Sequence, residues 1–147
     1  MKNFTLLGFC LFAFILNAQT GHRTAIKMEP GEYWWGGVVA WGSKMPYSPK
    51  AVRSFDLSLQ NENNQVTPLF LSNKGRYIWS NSPFRFEIKD SVFYLDSPYE
   101  DIVIQQGGKT LKEAYRTASA KHFPPTGSLP DALFFTMPQY NTWIELM

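Results

Sequence analysis

Hydrophobic and polar positions change period several times along this chain, and each change marks an element. The first eighteen residues, MKNFTLLGFCLFAFILNA, carry one lysine, then a Phe/Leu/Ile-rich run, then Ala18 before polar Gln19. A short basic start, an apolar stretch too brief for a comfortable membrane span and a small residue at its end are the layout of a secretory signal peptide, with an uncleaved anchor as the competing reading. Residues 19–31 are polar and predict a disordered lead. Beyond them, short apolar or alternating runs are separated by Gly, Pro, Asn and Asp clusters, which is the punctuation of antiparallel sheets. Strands are predicted near 33–41, 52–59, 66–71, 76–79, 84–88, 92–95 and 102–105. Two joints are well marked: LFLSNKGRYIW turns at Asn73, Lys74 and Gly75, and FRFEIKDSVFYL turns at Lys89, Asp90 and Ser91. In the second, Phe84, Phe86 and Ile88 alternate with Arg85 and Glu87, so one face is dry and the other wet. The expected fold class is mainly β, an antiparallel β-sandwich.

One segment has a different period. TLKEAYRTASAKHF places Leu111, Ala114 or Tyr115, and Ala118 on one stripe, with Thr110 and Glu113 spaced as a capping box. This is one short helix. PPTGSLPDA follows with three prolines and a glycine, which cannot continue it, so a linker or domain edge belongs there. Two further strands are expected, at 132–136 and from 142 to the end. The resulting division is a signal peptide over 1–18, a polar lead over 19–31, a sandwich over 32–123 and a separate closing segment over 124–147.

Composition narrows the function classes. The net charge of +2 arises from 14 basic and 12 acidic residues that are scattered, so there is no footprint for nucleic acid. Cys10 lies inside the apolar leader, behind bulky Phe9, which argues against lipidation. Its departure with the leader leaves no thiol nucleophile, disulfide or cysteine-bound metal. Export also implies a secreted or periplasmic protein with no membrane attachment once the leader is cut. Aromatic residues make up 16% of the chain, which suits pleated cores and also surfaces that stack on sugars.

Candidate chemistry is sparse. His22 and His122 are a hundred positions apart, and His122 reads as a cation near a helix C-terminus rather than a metal ligand. No GxSxG, GxGxxG or Walker pattern occurs. A pair of carboxylates could hydrolyse a glycosidic bond, but Asp56, Glu62, Asp90, Asp96, Glu100, Asp101, Asp131 and Glu145 mostly fall in turns, with no spacing that makes two converge. Neither a metal nor a cofactor is expected. GEYWWGGVVAWG is the most unusual stretch: adjacent Trp34 and Trp35 must point to opposite faces of a strand, and Gly36 and Gly37 permit a bulge or a close backbone approach. One indole is therefore core, and the other faces a ligand, a partner domain or solvent.

EYWWGGVVAWGSKMPYSP, TPLFLSNKGRYIWSNSPFRF and MPQYNTWIEL, taken together, resemble the N-terminal portion of glycoside hydrolase family 31, especially bacterial members akin to the myogenesis-regulating glycosidase. The similarity runs from about Glu32 to the end. It implies a galactose-mutarotase-like sandwich leading into a (β/α)8 barrel, with TWIEL as the first barrel strand, so that the chain is expected to stop where the barrel begins. The family's nucleophile and acid/base aspartates lie on later barrel strands, and no position here matches them. The resemblance further implies substrate contacts from Trp34, Trp35, Trp143 and Glu145 at the mouth of the barrel, where such sites form. The partners it implies are an α-linked glycoside, bound by the complete enzyme, and the missing barrel itself. A free-standing carbohydrate-binding sandwich and a structural domain that docks on a partner are the competing readings.

Overall fold

A computed structural model describes residues 21–59 and 62–138. Its strands are β1 (His22–Lys27), β2 (Trp34–Val38), β3 (Arg53–Asp56), β4 (Val66–Ser72), β5 (Arg76–Trp79), β6 (Arg85–Lys89), β7 (Val92–Ser97) and β8 (Val103–Gln106). Helix α1 (Leu111–His122), the single turn α2 (Leu133–Thr136) and a 3-10 segment, Val39–Lys44, complete it. The strands form two antiparallel sheets of four, ordered β1-β7-β6-β3 and β2-β4-β5-β8.

Alternation puts the inner residues of the two sheets against each other. From the first sheet come Ile26, Phe55, Phe86, Ile88, Phe93 and Leu95; from the second, Trp34, Val38, Phe70 and Ile78. Phe70 sits at the centre. Its ring meets Phe86 and Phe93 edge-on, both at 5.0 Å, and Trp34 meets Phe93 at 5.7 Å. Edge-to-face rings at these separations are the favoured aromatic geometry, so the sheets are joined by packing rather than by a shared strand.

Four expectations need correction. The lead over 19–31 is not outside the sandwich: β1 runs antiparallel to β7 from His22↔Ser97 to Lys27↔Val92. Only Ile26 of β1 is buried, so an edge strand lying on a wet sheet left almost no apolar signal. The strand predicted at 33–41 ends at Val38 and winds into the 3-10 segment. That predicted at 52–59 is only Arg53–Asp56, because Asp56 Oδ1 accepts from Ser58 N at 2.9 Å and turns the chain. Residues 132–136 are not a strand. Asp131 Oδ1 accepts from Leu133 N at 2.9 Å and Thr136 Oγ1 donates to the Ala132 carbonyl at 3.0 Å, which closes a helical turn. The strand expected from 142 onward lies outside the described residues.

Helix α1 follows its sequence closely. Thr110 Oγ1 accepts from Glu113 N, and Glu113 Oε2 accepts from Thr110 N at 3.1 Å, the reciprocal box that satisfies two free amides at a helix start. The helix lies over β4 and β5 on the outer face of the second sheet, with Ala118 against Tyr77 and Trp79.

Candidate functional site

Strand β2 is where the sequence concentrates its aromatics, and the structure separates them. Trp34 is 0% exposed and belongs to the inter-sheet core. It offers no face to a ligand, which corrects its place among the sugar contacts. Trp35, one residue on, points the other way and is partly buried in a row with Leu71 and Tyr77 on the outer face of the second sheet. Tyr33, two residues back and 40% exposed, shares that side of the chain. Trp143 and Glu145 lie outside the described residues.

The bulge that the two glycines suggested is present, with register slipping from Gly36↔Phe70 to Gly37↔Thr67. Gly36 has φ +135, and a Cβ on it would stand 2.1 Å from the Leu69 carbonyl oxygen. No side chain fits there. The bulge bends β2 into the 3-10 segment, where Trp41 packs edge-on to Phe55 at 4.9 Å while Val39 is half exposed.

Beneath Trp34 lies a carboxylate that the sequence did not bring forward. Glu32 is fully buried. Its Oε1 accepts from Ser72 Oγ at 2.5 Å and from Arg76 Nε at 2.9 Å; its Oε2 accepts from Glu29 N at 2.9 Å and from an Arg76 terminal nitrogen. Arg76 also donates to the Lys27 carbonyl at 2.9 Å and lies over the Trp34 ring at 5.5 Å. Burial alone would raise the Glu32 pKa, but hydrogen bonds from Arg76, Ser72 and Glu29 N, with the Arg76 charge, bring it below the ordinary carboxylate value. With both oxygens engaged, this group is a clamp between the β1–β2 loop and the β4–β5 hairpin, not an acid or base. Its one advance signal was position: it is the only charge between Pro30 and Trp41.

The remaining acids are spread over the surface with local duties. Asp96 Oδ1 lies 3.6 Å from Arg23 Nε, Asp101 Oδ1 lies 2.6 Å from His22 Nδ1, and Glu100 Oε1 accepts from Ser80 Oγ at 3.0 Å. Asp56, Arg85, Asp96 and Arg23 are register neighbours across the first sheet, a row of alternating sign on its outer face. An open depression of about 220 Å³ borders this row, between Ser58, Arg85 and Asp96. The two aspartates are two strands apart with a guanidinium between them, so they do not face each other across a space where a bond could be cut. Among the described residues no group of three or more His, Cys, Asp or Glu could hold a metal ion, and no helix is long and apolar enough to cross a membrane.

His122 departs from its expected role as a helix-end cation. Its ring stacks on Trp79, with centroids 4.7 Å and planes 26° apart, and burial together with the neighbouring Lys121 charge lowers its pKa. No family model matches the chain, and no curated protein matches it.

Proposed function

We propose that this chain is the exported, non-catalytic sandwich portion of a retaining α-glycosidase of glycoside hydrolase family 31, with a galactose-mutarotase-like sandwich. In this reading residues 124–147 lead toward a (β/α)8 barrel whose aspartates cut the bond. The present residues lend scaffold and one rim of the sugar pocket, and the ligand is an α-linked glycoside held by the complete enzyme.

The observation that carries the reading is the division of labour in EYWWGGVVAW. A bulged strand seals Trp34 in the core and leaves Trp35 beside Tyr33 on an outer face, so an indole is offered where a sugar or a second domain can cover it. Two further features agree. Glu32, Asp56, Asp96, Glu100, Asp101 and Asp131 each hold a local hydrogen-bond or ion-pair partner, which suits structural duty for these six. Beyond α1, Leu129, Leu133, Phe134, Phe135 and Met137 are 60–87% exposed, an apolar stretch suited to burial against a neighbouring domain.

The coding sequence beyond codon 147 tests this. A barrel carrying two catalytic aspartates, in frame or behind a frameshift, supports it, whereas a true stop before an unrelated gene favours a free-standing carbohydrate-binding module. That second reading draws on the same open Tyr33 and Trp35. Titration with α-gluco-oligosaccharides, followed by tryptophan fluorescence, examines the rim directly: Trp35→Ala is expected to weaken any measured affinity at least tenfold, about 1.4 kcal/mol, and an unchanged affinity removes Trp35 from the site.

A further inference from the structure

Helix α1 is held to the second sheet by few side chains. Its buried positions are Ala114 and Ala118, which bring little area. Thr117 Oγ1 donates to the Gly107 carbonyl at 2.6 Å, and Lys121 Nζ donates to Gln105 Oε1 at 2.8 Å. The larger contact comes at the last turn. There the His122 ring lies on Trp79 at 4.7 Å, Tyr77 meets the imidazole edge-on at 5.7 Å, and Phe123 closes against Trp79 at 4.9 Å.

His122 Nε2 is buried in this stack without a hydrogen-bond partner. A neutral imidazole with its proton on Nδ1 leaves Nε2 a bare acceptor, whereas an imidazolium places a charged N–H there with nothing to receive it. The groups around the ring offer no remedy. From α1 comes the Lys121 ammonium, a second cation. From β5 comes the Tyr77 hydroxyl, which donates to Gln105 Oε1 at 2.7 Å, and from β8 that same Gln105 oxygen, which also receives Lys121. β4 presents Leu69 and Leu71. Among the described residues no carboxylate is paired with the ring. The helix-end carbonyls and the Trp79 π-face favour a cation, but neither supplies an acceptor at Nε2.

We propose that His122 is an acid-sensitive latch. Neutral, its ring clamps the last turn of α1 to Trp79; protonated, it lets that turn come away from the second sheet, together with the apolar segment that starts at Phe123. The latch stands apart from the glycosidase reading, since it uses only contacts within the sandwich.

The test uses the full chain. The His122 ring is titrated by NMR from about pH 8 to about pH 5, and hydrogen-exchange protection is measured at both ends of the range. Expected are a His122 midpoint below about 6.5 and protection of the Ser119–Phe123 amides at least tenfold lower on the acid side, with β6 and β7 unchanged. His122→Phe, which keeps a flat ring, is expected to abolish the acid step. Should that variant fail to fold, His122→Gln replaces it, with protection that is lower throughout but independent of pH. A midpoint at or above about 6.5, or an acid step that survives in either variant, overturns the latch.

Discussion

The two sheets share one core and present opposite outer faces. Outside the first, β1, β7, β6 and β3 carry Arg23, Asp96, Arg85 and Asp56 in a row of alternating charge, with Arg23 also lying 5.6 Å over the Tyr94 ring. Outside the second, β2, β4 and β5 carry Trp35, Leu69, Leu71, Tyr77 and Trp79, and α1 covers β4 and β5. The first sheet is finished by water and the second needs something laid on it. α1 provides part of that cover, and the edge at β2, where Trp35 and Tyr33 stand, is what remains for a ligand or neighbour.

Substitutions of decreasing weight probe this asymmetry. Phe86→Ala removes a ring common to both sheets and is expected to cost about 3–5 kcal/mol in a denaturant melt, with both sheets lost together. Sheets that melt separately would show that they do not share a core. Glu32→Gln leaves Arg76 without its buried charge partner and is expected to cost about 3 kcal/mol at neutral pH. Because the Glu32 pKa is lowered in the fold, its stabilisation is present above its ordinary carboxylate value and fades as pH falls through the lowered one; Glu32→Gln should flatten that part of the pH–stability curve. Ala118→Asp buries a charge beneath α1 and is expected to cost about 2 kcal/mol, through local loss of helix signal in circular dichroism with the first sheet intact. Arg85→Ala, on the wet face, is expected to change stability by no more than about 0.5 kcal/mol. A cost several times larger would mean that the charge row carries structure that its register alone does not suggest.

The dry elements were the legible ones. The hairpins at Asn73–Gly75 and Lys89–Ser91, the capping box of α1, and the opposed faces of Trp34 and Trp35 could all be read from period and turn chemistry. What escaped has a common physical origin. β1 is a strand because β7 offers it a ladder, and a ladder leaves no trace in side-chain hydrophobicity when only Ile26 is buried. The turn at Leu133–Thr136 carries strand-like residues, Leu-Phe-Phe-Thr, but among the described residues no strand pairs with them, and Asp131 Oδ1, accepting from Leu133 N, favours the turn. Glu32 leaves no local signal of its pairing, because its partner Arg76 lies 44 positions away. His122 carried a favourable helix-end position in the sequence; that it stacks on Trp79 depends on β5 lying under α1, which only the tertiary arrangement supplies.

In the proposed function these residues build a platform for sugar chemistry and do not perform it. Incubating the 147-residue chain with a panel of aryl α-glycosides and measuring phenol release tests it most directly. Release at the rate of the buffer alone is the expected result, and turnover clearly above that background, lost in a variant of any acid within this chain, would contradict it.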